Sequence, residues 1–280
     1  MLKEVVLDSA LDVAKMLPGA FAVILLSDVI MARLRSVKIS GSAAGVVTGS
    51  LLGIIPQCGI PVGFAKLYAD GAIGLAVIIS VFLSSSDEAV IIAVGNYDFP
   101  FVLKFLAVKI AVALTIGGAC SFFAPARLGR EMGDSRPFMP KTAPRRVKDL
   151  IAKAARGTVV IAAYVFVIEL ALGLLIESVG ESAITALLSS SGLFIQPVVA
   201  ALIGAIPNCA SSIFLMKAYG KGILSFSALI SGLCANSGYG ILVIFRSLPL
   251  SRSLKFTALL ISLSVASGEL LTLPALLMAD

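Results

Sequence analysis

Histidine does not occur in this chain of 280 residues, and charged residues make up only 14% of it. The first absence removes the commonest protein ligand for zinc, copper and iron. The second, together with 59% hydrophobic residues and a mean hydropathy of +1.05, lies outside the range of soluble globular domains and predicts an integral membrane protein. Cysteine is scarce as well. Cys58, Cys120, Cys209 and Cys234 stand apart in apolar surroundings without CxxC spacing, which indicates neither a disulfide framework nor a zinc knuckle. No GxxxxGK[ST], GxSxG or HExxH stretch is present. The chain therefore reads as a non-enzyme without a cofactor and without ATP-driven pumping of its own.

What is present is apolar sequence in long runs. Stretches around 17–34, 101–123, 157–176 and 254–275 are long enough to cross a bilayer, and several shorter runs are broken by polar residues. The first run is expected to be a retained span rather than a secretory signal, because its leader carries Glu4, Asp8 and Asp12 beside Lys3 and Lys15 and no small-x-small cleavage site follows. The formal charge of +6 implies no nucleic-acid partner, since the basic residues gather in short loops as membrane orientation requires.

The shorter runs hold an internal duplication. GIIPQCGI at 53–60 returns as GAIPNCAS at 204–211, and an offset of 151 aligns 53–117 with 204–268 without a gap. Pro56/Pro207, Cys58/Cys209, Lys66/Lys217, Tyr68/Tyr219, Gly71/Gly222, Ser80/Ser231, Ser86/Ser237 and the run LKF at 103–105 and 254–256 coincide. Chance pairing of greasy segments explains shared Leu and Ile, but not shared Pro, Cys, Lys and Tyr.

Corresponding loops carry opposite charge. RLRSVK (33–38) is basic where ESVGES (177–182) is acidic, and NYDFPF (96–101) carries one acid where RSLPLSR (246–252) carries Arg246 and Arg252. By the positive-inside rule the copies face opposite ways, which predicts an inverted-topology repeat of the kind used by secondary transporters. The connector 125–150 has seven bases against three acids and is expected on the cytoplasmic side. The expected units are thus a first repeat, 1–124, the connector, and a second repeat, 151–280, in the plasma membrane. Inversion requires an odd number of crossings per repeat. One solution is a re-entrant hairpin over 42–69 with PQCG at its tip, a broken helix over 72–95 and a full span at 101–123; the other is five short crossings per repeat, ten in all. The hairpin is preferred. The fold class is all-α and polytopic, with hairpins or broken helices meeting at mid-membrane.

Irregular backbone at membrane depth is tolerated only where protein or a water-filled cavity satisfies it. Two symmetry pairs of such places are expected: PQCG (56–59) with PNCA (207–210), and SSSDEA (84–89) with ANSGYG (235–240). Gln57 and Asn208 offer amide groups, and Cys58 and Cys209 offer soft thiols. Asp87 and Glu88 face Gly238 and Tyr239 in the other copy, so the acids come from one half. A central Asp costs about 2.5–3.5 kcal/mol to insert, which marks this pair as functional; Asp87 also suits a helix cap, and a capping carboxylate can still be a ligand. Asp28, Glu169, Lys109 and Glu269 are further intramembrane ionisable residues that suit a proton or counter-ion path, a salt bridge or a snorkelling contact. Cys120 reads as packing, Cys234 as packing or cavity lining, and Tyr68 and Tyr219 as interfacial anchors.

Carboxylates, Ser, Asn and Gln oxygens and one or two thiols suit a divalent cation of intermediate hardness such as Mn²⁺, and the thiols admit softer species including arsenite. Helix N-termini rich in Ser and Asn suit an anion instead, so a Na⁺- or H⁺-coupled carrier of an anion or phosphate-bearing lipid stays open. The two stretches GIIPQCGIPVGFAKLYADGAIGLAVIISVFLSSSDEA and GAIPNCASSIFLMKAYGKGILSFSALISGLCANSGYG resemble bacterial and archaeal heavy-metal exporters of about ten spans, known variously as arsenic efflux proteins or manganese transporters. The resemblance implies a metal or metalloid exporter and puts Pro56, Gln57, Cys58, Ser84, Ser85, Ser86, Asp87, Glu88, Pro207, Asn208, Cys209, Asn236 and Ser237 at stake. The expected metal ligands are Asp87 and Glu88 as hard donors, Cys58 and Cys209 as soft ones, and Asn208. Gln57, Ser84, Ser85, Ser86, Asn236 and Ser237 complete the cargo site. The expected partners are the transported ion and the bilayer, and a homodimer is left open.

Overall fold

The computed structural model describes residues 43–57, 59–85, 87–123, 188–189 and 191–277, with isolated positions between 6 and 25 and between 151 and 170. The connector 125–150, the acids Asp28 and Glu169 and most of the expected span 17–34 lie outside the described residues, whereas the expected span 157–176 is described in part, up to residue 170, and is helical there. In the first half five helices follow one another: α1 (Ala43–Gly53), α2 (Gly59–Ala69), α3 (Leu75–Ser84), α4 (Asp87–Asn96) and α5 (Phe99–Phe123). The second half supplies α6 (Ile195–Gly204), α7 (Cys209–Gly220), α8 (Phe226–Ala235), α9 (Gly240–Ser247) and α10 (Leu250–Leu277). No strand occurs among the described residues. Each helix of the first half has a counterpart of nearly the same length in the second, at the offset of the sequence duplication.

Packing repeats along with order. α1 packs on α3 and both pack on α5, as α6 packs on α8 and both pack on α10. Contacts between the halves pair up in the same way: α2 lies on α9, α4 lies on α7, and α3 meets α8. Four stretches are long and apolar enough to cross a membrane, namely Leu75–Asn96, Phe99–Phe122, Phe226–Ser247 and Leu250–Thr272. The first and third are broken helices, α3–α4 and α8–α9. Of their most apolar windows 80% and 94% are buried, against 28% for each of the two unbroken helices, so the broken pair forms the centre and α5 and α10 the flanks. Phe99, Leu103 and Phe122 on α5, with Leu250, Leu254 and Leu270 on α10, are exposed, as lipid-facing side chains must be. The protein is an all-α, multi-pass membrane protein.

Between α1 and α2 the chain turns at Ile54–Gln57, where Pro56 stops the ladder. Eleven residues in each arm reach only about 16 Å, short of the hydrocarbon core. Both second arms close identically. Gly71 (φ 77°) and Gly222 (φ 70°) take the left-handed conformation after α2 and α7. There the N–H groups of Ala72 and Ile223 reach back 2.9 and 3.0 Å to the carbonyls of Leu67 and Ala218, the glycine stop that satisfies the last carbonyls of a helix. Lys66 and Lys217 sit in those last turns, where the dipole favours cations.

Small residues set the helix spacing. A Cβ on Gly117 would lie 2.8 Å from Cβ of Ser80, and one on Gly268 would lie 2.7 Å from Cβ of Ser231, so α5 on α3 and α10 on α8 use the same contact. The closest approach is in the second half, where a Cβ on Gly204 would fall 1.9 Å from the carbonyl oxygen of Gly232. Backbone meets backbone there, which only glycine permits. The Gln196 amide, buried at the start of α6, donates to Ile223 O at 2.8 Å and accepts from Ser225 N at 2.9 Å. It thereby ties the head of one hairpin to the loop leading into the broken helix.

Gly204→Ala is expected to lower stability by about 1–3 kcal/mol through overpacking, whereas Gly118→Ala, with nothing within 4 Å of the added carbon, should stay within about 0.5 kcal/mol of the parent. Thermal unfolding of the purified proteins in detergent checks the pair.

Candidate functional site

The interruptions anticipated from the sequence are real breaks in the helices. α3 ends at Ser84 and Ser85 forms its C-cap, its N–H bonded to Val81 O at 2.9 Å; both serines are buried. Asp87 and Glu88 open α4, and their side chains, like all of Ser86 and Cys58, lie outside the described residues. Gln57 is exposed at the hairpin turn, its carbonyl accepting from Ile60 N at 3.2 Å.

The second half is more fully built. Asn208 is buried and caps α7, its Oδ1 accepting from Ala210 N at 2.6 Å; Cys209 is the first helical residue, and its side chain is outside the described set. One turn on, the Ser211 hydroxyl donates to Asn208 O at 2.7 Å. Across from it Asn236 ends α8 with its side chain turned inward. Its Nδ2 donates to Ser211 Oγ at 3.4 Å, and its Oδ1 accepts from Gly238 N at 2.9 Å. Gly238 adopts φ 52° to make that turn, and Ser237, Tyr239 and Gly240 are buried behind it. Hairpin turn and helix break of the second half are thus joined through an Asn–Ser–Asn set.

Two contacts bring the interruptions of the two halves together. A Cβ on Gly240, where α9 begins, would lie 2.9 Å from Cβ of Pro61 in α2 and 2.8 Å from Cε1 of Phe82 in α3. The second half's break therefore lies against the first half's hairpin. The other contact is Lys109 on α5, which is completely buried. Its Nζ donates to the backbone carbonyl of Ser85 and, at 2.9 Å, to that of Leu233. One ammonium thus touches the carbonyl end of a broken helix in each half. At the far end of α4 the Tyr97 hydroxyl donates to Met216 O at 3.0 Å, closing a cleft of about 510 Å³ lined by Asp98, Phe101 and Tyr219 among others. Burial raises the Tyr97 phenol above its ordinary value, with the nearby Tyr219 adding to the effect.

A family model described as "Putative, 10TM heavy-metal exporter" matches residues 89–246 and 145–272. The chain belongs to that family of heavy-metal exporters. No curated protein and no solved structure matches it. Membership in an exporter family fits a chain without enzymatic activity. The matched region runs from α4 to α10, so it contains Lys109, Asn208, Cys209, Asn236 and Ser237, while Gln57, Cys58 and the run Ser84–Glu88 lie ahead of it.

Sequence reasoning grouped Lys109 with residues open to a snorkelling contact, yet the side chain turns inward and reaches no surface. Ser211 was missed altogether, because a serine in an apolar helix carries no signal of its own; its spacing of three from the capping Asn208 was the available clue. Tyr68, read as an interfacial anchor, is buried and packs on Phe256 with ring centroids 5.8 Å apart, whereas Tyr219 is half-buried. Cys234 is buried in the core and Cys120 is half-buried on α5. Among the described residues no group of three or more His, Cys, Asp or Glu side chains comes together.

Asn236→Ala removes the acceptor for Gly238 N–H and the partner of Ser211 in a buried setting. Its expected cost is about 1–3 kcal/mol, readable as an earlier thermal transition in detergent.

Proposed function

We propose that this exporter moves a divalent metal ion of the Mn²⁺ kind, or a metalloid, by alternating access between two oppositely oriented halves, 1–124 and 151–280. In this reading the basic connector 125–150 lies in the cytoplasm, the membrane is the plasma membrane, and the partners are the cargo ion and the bilayer. Nucleic acid has no part in it, and pairing of two copies is compatible with it. The carrying observation is the meeting of interruptions: Asn236 joins Ser211 within the second half, while Gly240 beside Pro61 and Lys109 between Ser85 and Leu233 bring the two halves together. Discontinuous helices that meet at a repeat interface are where secondary transporters hold their cargo. Opposite loop charges support the inversion.

In this site Asp87 and Glu88 are the hard ligands, at the start of a half-helix. Cys58 and Cys209 add soft contacts from the two hairpins, and Gln57, Asn208, Ser84, Ser85, Ser86, Asn236 and Ser237 supply oxygen. Asp87→Asn and Glu88→Gln are expected to abolish saturable Mn²⁺ uptake into inverted membrane vesicles. Uptake at the parent rate in both variants rejects the assignment.

A second reading, a Na⁺- or H⁺-coupled carrier of an anion or phosphate-bearing lipid, draws support from the buried positive charge of Lys109 and from the helix N-termini at the breaks, which favour negative charge. Thermal stabilisation separates the two. A shift with Mn²⁺ or Cd²⁺ supports the metal, and a shift with phosphate or arsenate in the presence of Na⁺ supports the anion.

A further inference from the structure

In carriers built from broken helices, the unwound carbonyls and the C-terminal ends of half-helices are where a coupling cation is held. Here that place is filled from within the chain. Lys109 is 0% exposed, and its ammonium lies on the Ser85 carbonyl just past α3 and 2.9 Å from the Leu233 carbonyl in the last turn of α8. Both are among the last carbonyls of their helices, where the macrodipole is negative. The Phe105 ring, with its centroid 6.0 Å from Nζ, presents a further surface that attracts cations. The counterpart of Lys109 at the repeat offset is Leu260, which is buried and apolar. A single cation therefore serves carbonyl ends from both halves.

We propose that the Lys109 ammonium is a tethered cation standing in the position where a carrier of this build would bind Na⁺. The exporter consequently needs no Na⁺, and loss of the side chain creates a monovalent-cation site between the Ser85 and Leu233 carbonyls. The inference rests on the carrier reading for its meaning in transport, but the site itself is defined by the two carbonyls and does not depend on the cargo. A free cation and the ammonium repel each other at contact distance, so one excludes the other.

The test uses the full chain purified in detergent, with melting followed at constant ionic strength in choline, sodium, potassium and methylammonium chloride. The parent should melt at the same temperature in sodium as in choline. Lys109→Ala should melt about 5 °C or more lower in choline, with saturable recovery in methylammonium or sodium, whose ions fit the vacated space. Lys109→Met, which fills the space without charge, should stay destabilised and gain nothing from any of the salts. The proposal is overturned if the parent shows saturable stabilisation by Na⁺, if Lys109→Met melts like the parent, or if no small cation restores Lys109→Ala. Should Lys109→Ala not accumulate, the parent decides: metal uptake into inverted vesicles at equal rates in sodium and choline supports the assignment, and uptake that collapses in choline overturns it. A chain that moves no metal yet shows the cation-specific recovery keeps the tethered cation and loses only the export reading.

Discussion

A backbone carbonyl released inside a membrane has no water to accept from, and the centre of this protein is organised around that constraint. Breaking α3–α4 and α8–α9 frees carbonyls at one helix end and N–H groups at the next, and Ser84, Ser85 and residues 235–240 at these breaks are buried. The protein answers with side chains of matching polarity. Lys109 donates to freed carbonyls in both halves. Asn236 takes up the Gly238 N–H in its own break, and Asn208 does the same for Ala210 at the hairpin turn. Each group is a hydrogen-bond partner first, and only on that footing available to a cargo.

The packing around the breaks differs in kind from the packing between the long helices. α5 and α10 lie on their neighbours through glycine–serine contacts that are equivalent in the two halves, a close interlock with no polar group at stake. Contacts between the halves combine helix packing, α2 on α9 and α4 on α7, with contacts at helix ends and turns: Pro61 against Gly240, Tyr97 on the Met216 carbonyl, Lys109 on Ser85 and Leu233. A hydrogen bond between neutral groups is worth about 0.5–1.5 kcal/mol, and one from a charged donor such as the Lys109 ammonium about 1.5–3 kcal/mol. α2 and α4 lie chiefly against helices of the other half, while α1, α3 and α5, like α6, α8 and α10, pack mostly among themselves.

Much of this was legible because duplication and interruption leave marks in a single sequence. The offset of 151 places α1 to α5 on α6 to α10, and the run expected to span at 101–123 is α5, Phe99–Phe123. The hairpin about PQCG and the break at SSSDE fall where proline and a polar cluster interrupt apolar runs. What stayed hidden is non-local. Lys109 finds its carbonyls 24 and 124 residues away, and composition cannot tell a snorkelling lysine from one turned inward. Asn236 finds Ser211 at a separation of 25, and the burial of Tyr68 depends on Phe256 from the other half. Pattern tells which residues are out of place in a membrane; only packing tells what receives them.

The departures from symmetry all point the same way. Where the first half has Asp87 and Glu88, the second has Gly238 and Tyr239; where the first has Lys109, the second has Leu260. Gly238 takes a left-handed turn whose N–H the Asn236 amide accepts, and Tyr239 is buried at 1% exposure, so that break is closed with neutral groups at these positions. Charges at the interruptions therefore come from one half, and the described polar side chains opposite them, Asn208, Ser211 and Asn236, are neutral.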